Sequence, residues 1–114
     1  MPTLLPKDAD NNIIPALRLR GTGGAHAIAA TATTARNSTA FNAETRVVSV
    51  YATGAVYLRF GPSTVTATAT DHYYPNGVYY DFAIGGGDVK GPRFTHLAVL
   101  RASTDCTVYV SEKE

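Results

Sequence analysis

The chain has 114 residues, of which 45% are hydrophobic, so it is long enough to form one domain with a buried core. Its ten basic and nine acidic residues leave a net charge of +1 and form no run, which argues against nucleic acid or a membrane surface as the partner. A single cysteine, Cys106, excludes an intrachain disulfide and a cysteine-based metal cluster, and its position at the start of a predicted strand favours a buried hydrophobic role.

Residues 1–20 predict an extended arm that precedes a single domain over residues 21–114. The arm contains three prolines, which interrupt any helical pattern, and its Asn11-Asn12 pair is typical of a turn. The apolar stretch at the start is too short for a signal peptide, so we expect a protein that is made and kept in a reducing cytosol. Four apolar residues of the arm need burial, either in a first strand or across a neighbouring subunit: Ile13, Ile14, Leu17 and Leu19.

The rest of the chain predicts strands. Residues 25–35 are rich in Ala and Thr, have no helical stripe, and predict one flat strand or two short ones. From residue 46 onward, apolar and polar residues alternate, as expected for strands with one buried face. The alternation predicts strands over residues 46–51, 56–60, 64–70, 78–84, 94–101 and 106–111, with a tight Pro-Asn-Gly turn at 75–77. About seven or eight short strands without a helix predict an all-β antiparallel sandwich of Greek-key or jelly-roll type.

The titratable residues do not form a pattern typical of catalysis or metal binding. The candidates are His26, His72 and His96, together with Glu44, Asp71, Asp81 and Asp88. None has the spacing of metal ligands, and the adjacent Asp71 and His72 would point to opposite faces of a strand. The glycine clusters at 21–24 and 85–88 lack the lysine and the following helix of a phosphate-binding loop. We therefore expect no enzyme activity, no cofactor and no metal.

Four tyrosines are predicted to face outward from their strands, opposite the aliphatic residues: Tyr51, Tyr57, Tyr79 and Tyr109. Tyrosine offers a large contact area at a low entropic cost and is frequent in the cores of protein interfaces. The alternative is that these rings stack on one another on a solvated sheet, or line a second part of the core. Together with the apolar residues of the arm, they are the candidate partner-binding residues.

About residues 40–112 resemble a known family. The similarity lies in the segments 40–48 (AFNAETRVV), 57–63 (YLRFGPS), 67–71 (ATATD), 74–77 (YPNG) and 108–112 (VYVSE). This succession resembles the small accessory virion proteins of tailed bacteriophages, in particular capsid decoration or cement proteins with a jelly-roll-like sandwich. The resemblance implies a homo-oligomer on the outside of an icosahedral shell, where it bridges capsid subunits.

The expected function is therefore that of a structural virion protein. Its partners would be the major capsid protein and one or two further copies of itself, without nucleic acid or membrane. It would be assembled in the host cytoplasm and act on the capsid surface. Two alternatives stay open, a tail, head-fibre or adaptor component of the virion and a carbohydrate-binding module. The latter would use the ring faces of Tyr73, Tyr74, Tyr79 and Tyr80.

Overall fold

A computed structural model describes residues 4–85 and 92–114 of the chain. Within these residues the chain forms eight strands and no helix. The Ala- and Thr-rich region forms two short strands, which decides between the two arrangements that its sequence allows. The strands are β1 (Ala25–Ala30), β2 (Ala35–Arg36), β3 (Val47–Ala52), β4 (Val56–Gly61), β5 (His72–Tyr74), β6 (Tyr79–Ala83), β7 (His96–Arg101) and β8 (Cys106–Lys113).

The strands form two antiparallel four-stranded sheets that pack face to face. The first sheet has the order β1-β8-β3-β6, and the second has the order β2-β7-β4-β5. Strand β1 pairs with β8, β2 with β7, β3 with β6 and β4 with β5. This nested pairing is that of a long hairpin rolled into two Greek keys, which is a jelly roll. The predicted fold class is confirmed.

The core lies between the sheets and is built from every second residue of the strands. In β3, for example, Val48 and Val50 are buried, while Tyr51 on the opposite face is partly exposed. Because successive side chains of a strand point to opposite faces, this alternation gives each sheet one apolar face to bury. The fully buried aliphatic side chains between the sheets are Val48, Val50, Val56, Leu58, Ile84, Leu97, Val99, Val108 and Val110.

Aromatic rings close one side of the sandwich, where β4 and β5 of the second sheet lie near β6 of the first. The ring of Phe82 lies 5.4 Å from that of Phe60 and 5.3 Å from that of Tyr74, centroid to centroid. Tyr74 also contacts Tyr80 at 4.9 Å, edge to face. Such aromatic pairs add about 0.5–1.5 kcal/mol each beyond their buried area. They hold the two sheets together where no backbone ladder joins them.

The prediction of a strand over residues 64–70 is wrong. This segment is a loop that crosses the outer face of the second sheet, where Val65 and Ala67 are buried against Ala98 of β7. The backbone of the segment bonds to side chains instead of a neighbouring strand. The N–H of Ala67 donates to Thr34 Oγ1 (2.8 Å), and the guanidinium of Arg36 donates to the carbonyl of Val65 (3.1 Å). The alternation in residues 64–70 therefore comes from a loop with one buried side and not from a strand that pairs in a sheet.

The Pro-Asn-Gly sequence forms a turn, but it does not join two strands of one hairpin. It connects β5 of the second sheet to β6 of the first. Gly77 has a φ of 85°, a left-handed conformation that glycine adopts without steric cost, and its N–H donates to the carbonyl of Ala52 (3.1 Å). The turn is thus a corner between the two sheets.

Candidate partner-binding surfaces

Three of the four predicted tyrosines form a row across the outer face of the first sheet. Tyr51 of β3 lies opposite Tyr79 of β6 on one side and opposite Tyr109 of β8 on the other. The rings of Tyr51 and Tyr79 are 4.7 Å apart, centroid to centroid. Tyr79 is 71% exposed and Tyr109 is 49% exposed, so both are available for contact with a partner. We call the outward-facing residues of β1, β8, β3 and β6 the tyrosine face.

Small and neutral residues surround the tyrosine row. On one side, Ala27 of the edge strand β1 lies opposite Tyr109. On the other, Ser49 donates a hydrogen bond to Asp81, which also accepts one from Lys113 (3.0 Å). The bond from Ser49, followed by that from Lys113, lowers the pKa of Asp81. The one acidic and the one basic residue of this face therefore neutralise each other, and the face is close to uncharged.

Tyr57 lies on the opposite side of the molecule from the other three tyrosines. It faces outward from β4 in the second sheet and packs against Tyr73 of β5, with ring centroids 5.7 Å apart. The rings proposed for a carbohydrate site are divided in the same way. Tyr73 and Tyr79 lie on opposite outer faces, whereas Tyr74 and Tyr80 contact each other between the sheets. These four rings do not form one platform.

The first part of the arm is a small hairpin, residues 6–14, organised by the side chain of Asp8. Its Oδ1 accepts hydrogen bonds from the N–H groups of Asp10 and Asn12, both 2.9 Å long. The backbone bond from Asn12, the largest of the influences on this carboxyl, lowers the pKa of Asp8. Asn11 takes up the left-handed conformation (φ 67°) that Asn tolerates better than most residues. A bond from the N–H of Ile14 to the carbonyl of Pro6 (2.8 Å) closes the hairpin.

The arm hairpin exposes apolar side chains. Leu4, just before it, is 76% exposed, and Ile13 is 61% exposed. Ile14 and Leu19 are also exposed, whereas Leu17 is half-buried. Of the four arm residues predicted to need burial, three are therefore uncovered in the isolated chain. Exposed apolar residues grouped in one part of a molecule are typical of a binding site.

The last part of the arm belongs to the first sheet. The N–H of Glu114 donates to the carbonyl of Arg18 (2.9 Å), and the N–H of Arg20 donates to the carbonyl of Glu112 (2.9 Å). Residues 18–20 thus continue the edge that β1 forms beside β8, after an interruption at residues 21–23. This pairing fixes the base of the arm to the sandwich.

A buried carboxylate, which the sequence analysis did not single out, lies near the base of the arm. Glu112 is 1% exposed, and its Oε1 accepts hydrogen bonds from Thr45 Oγ1 (2.6 Å) and the N–H of Asn42 (2.8 Å). Its Oε2 lies 2.7 Å from Nε2 of His26. Burial opposes ionisation, but the bonds from Thr45, His26 and Asn42 outweigh it and lower the pKa of Glu112. The sequence signal that could have identified Glu112 is its position in β8, where it shares the buried face of Val108 and Val110.

The remaining titratable candidates are dispersed. His96 is buried, and its Nδ1 shares a hydrogen bond with the hydroxyl of Thr95. Burial lowers the pKa of His96, and the nearby charges of Arg36 and His26 lower it further. Asp71 bonds the N–H of Thr68 (2.7 Å), whereas His72 is exposed on β5. The N–H of Glu44 donates a hydrogen bond to the side chain of Asn42. Burial raises the pKa of the Cys106 thiol. Asp88 lies outside the described residues. Among residues 4–85 and 92–114, no three His, Cys, Asp or Glu residues are grouped as metal ligands would be.

Comparison of the chain with family models, with curated proteins and with solved structures returned no match. In the part of the chain that the structure describes, no helix has the length and apolar character needed to cross a bilayer.

Proposed function

We propose that this chain is a structural protein that binds the outside of a bacteriophage capsid and stabilises it by bridging major capsid subunits, as a decoration or cement protein. The observation that carries the proposal is the arm hairpin, which holds Ile13 and Ile14 exposed on an ordered element. A protein that attaches to a shell does so through contact area, and this arm supplies apolar area that the sandwich does not cover.

The order of the arm supports a binding role on energetic grounds. Binding by a disordered segment requires its backbone to be ordered at that moment, which weakens the net affinity. Asp8 and the backbone bonds of the hairpin hold residues 6–14 in one conformation before any partner is present. Burying an isoleucine side chain fully contributes roughly 1.5–3 kcal/mol, so a few such residues suffice for a specific contact.

The tyrosine face supplies a second contact surface in this proposal. It combines three tyrosines in a row with small neutral neighbours, and its two charges pair with each other. Interface cores are enriched in tyrosine and depleted of unpaired charge. Arm and face together allow one molecule to contact two neighbouring subunits, which is what bridging requires.

The virion assignment depends on the resemblance of about residues 40–112 to phage decoration proteins. The jelly roll is compatible with it, because viral capsid proteins use this fold, but lectins and cupins use it as well. In this proposal the partner is the major capsid protein, and neither nucleic acid nor membrane takes part. The site of action is the capsid surface, after assembly in the host cytoplasm.

Co-sedimentation with shells that lack this protein tests the proposal. We expect the intact chain to pellet with the shells and the double variant Ile13→Ser/Ile14→Ser to stay in the supernatant. The matched control is Lys7→Ser/Asp10→Ser, which changes two exposed polar residues of the same hairpin, keeps the net charge and should still pellet. Failure of the intact chain to pellet would refute shell binding, and pelleting with purified tails instead would favour the tail or adaptor alternative.

A further inference from the structure

The four edge strands of the sandwich differ in how well they are protected against pairing with another chain. Strands β2 and β5 have two and three residues, which is too short for a stable ladder. Strand β6 has five residues, but it carries the outward-facing charge of Asp81. Natural proteins protect sheet edges by shortness or by charge in this way. Strand β1 has six residues, and its outward-facing positions are all alanine.

The backbone of β1 has hydrogen-bonding groups that point away from its neighbour. The N–H of Glu112 donates to the carbonyl of Gly24, so these two residues form a hydrogen-bonded pair at the start of the β1–β8 ladder. In an antiparallel ladder such pairs alternate along the strand. Ala25, Ala27 and Ala29 therefore direct their N–H and C=O groups to the open edge. A groove beside the first half of β1 is lined by Gly23, residues 25–27 and residues 37–39.

We propose that β1 is a self-association site, where two copies of this chain pair antiparallel about a two-fold axis at Ala27. Among residues 4–85 and 92–114, the outward N–H and C=O groups of Ala25, Ala27 and Ala29 have no hydrogen-bond partner, and their pattern is complementary to itself. Ala27 lies opposite Ala27 of the second copy, and Ala25 lies opposite Ala29 of the second copy. Each alanine then exchanges hydrogen bonds with its counterpart, and the two first sheets join into one continuous sheet.

The occupant is a second copy because the chemistry of β1 is that of a symmetric contact. Its three outward-facing residues carry no charge, so two copies meet without like-charge repulsion across the ladder. A two-fold contact uses the same patch on both copies and closes, leaving neither β1 edge free for further chains. Since Ala27 lies opposite Tyr109, pairing also joins the two tyrosine faces into one surface.

Analytical ultracentrifugation of the full chain tests the proposal. We expect a monomer–dimer equilibrium in the micromolar range, and loss of the dimer in Ala27→Lys, which places two ammonium groups at the two-fold axis. The matched control is Ala83→Lys, the same change at an exposed position on the opposite edge of the same sheet, which should still dimerise. Thermal unfolding of each variant verifies that the sandwich is intact.

A covalent test uses Ala27→Cys with Cys106→Ser. In a hydrogen-bonded antiparallel pair the Cα atoms are about 5.5 Å apart, within the span of a disulfide. Oxidation should give a linked dimer, whereas Ala83→Cys in the same background should stay largely monomeric. An intact chain that is monomeric throughout the micromolar range, or a dimer that survives Ala27→Lys, overturns the proposal. Neither outcome affects the proposed function, because shell binding through the arm hairpin does not require the dimer.

Discussion

Glu112 shows how a single residue connects distant parts of the chain. Its carboxylate binds His26 from β1 and both Asn42 and Thr45 from the loop before β3. Burying a carboxylate is costly unless it is paired and hydrogen-bonded, and here the partners offset that cost. The carboxylate thereby holds this loop against β8, beside the residues that fix the base of the arm.

Replacing this carboxylate by an amide should destabilise the fold. In Glu112→Gln the negative charge is lost and only one of the two terminal atoms still accepts hydrogen bonds. The bonds from Thr45 and Asn42 are then kept only when the N–H₂ faces His26, whose ring nitrogen has to act as the acceptor. We expect a loss of about 1–3 kcal/mol in the free energy of unfolding at neutral pH, measured by urea denaturation. The control is Glu114→Gln in the same region, where a half-buried carboxylate lies 4.0 Å from Arg20 and the change should be within about 0.5 kcal/mol.

The original chain and Glu112→Gln should also differ in how their stability changes in acid. The pKa of Glu112 in the folded protein lies below its ordinary value of 4.5, so the ionised form stabilises the fold above that pH. This contribution falls as the pH drops below 4.5 and through the lower folded-state pKa. Glu112→Gln lacks it, so its stability should converge with that of the original chain in acid. A difference that stays constant with pH would contradict this account.

Among the structural elements, the arm hairpin is stabilised locally and independently of the core. Its hydrogen bonds run among residues 6–14, and the carboxylate of Asp8 accepts two of them from backbone N–H groups. Asp is favoured in such turns because its side chain bonds the backbone two residues on. The hairpin should therefore loosen without unfolding the sandwich.

Asp8→Ala tests this independence. We expect the amides of Asp10 and Asn12 to lose their protection from hydrogen exchange, because their acceptor has been removed. The midpoint of thermal unfolding should not change, since the hairpin is exposed and contributes little to the core. Asp10→Ala, in the same turn, should keep the protection of Asn12. A drop in the unfolding midpoint of Asp8→Ala would mean that the hairpin is coupled to the sandwich.

At the scale of the whole molecule, the last strand lies inside a sheet. Strand β8 pairs with β1 on one side and with β3 on the other, and its Val108 and Val110 are fully buried. The first sheet therefore cannot be completed until β8, near the end of the chain, has paired with both β1 and β3. Contacts between residues so far apart in the chain also make folding slow, in the range of milliseconds to seconds.

Two truncations should have opposite effects for this reason. Removing residues 106–114 deletes a central strand, and we expect the product to lack dispersed amide resonances and cooperative thermal unfolding. Removing residues 1–16 deletes the hairpin but leaves residues 18–20 on β8, and we expect a folded sandwich with a cooperative transition. Cooperative unfolding of the chain that lacks residues 106–114 would refute this view of the fold.

The alternation of apolar and polar residues was enough to predict the fold class and the side of its sheet on which most strand residues lie. Alternation is a local property, so Val48, Val50, Val108 and Val110 could be assigned to the core without knowing which strands pair. The same rule placed Tyr51 and Tyr109 outside. It failed at residues 64–70, because alternation reports a buried and an exposed side but not the presence of a neighbouring strand.

The grouping of outward-facing residues into one surface, by contrast, depends on how distant strands pair. Tyr51, Tyr79 and Tyr109 are far apart in the chain, and the registers of β3 with β6 and with β8 bring them into one row, while Tyr57 belongs to the other sheet. Likewise the partners of Glu112 come from β1 and the loop before β3. Register and sheet order arise from contacts between distant segments, which a local pattern of side chains does not encode.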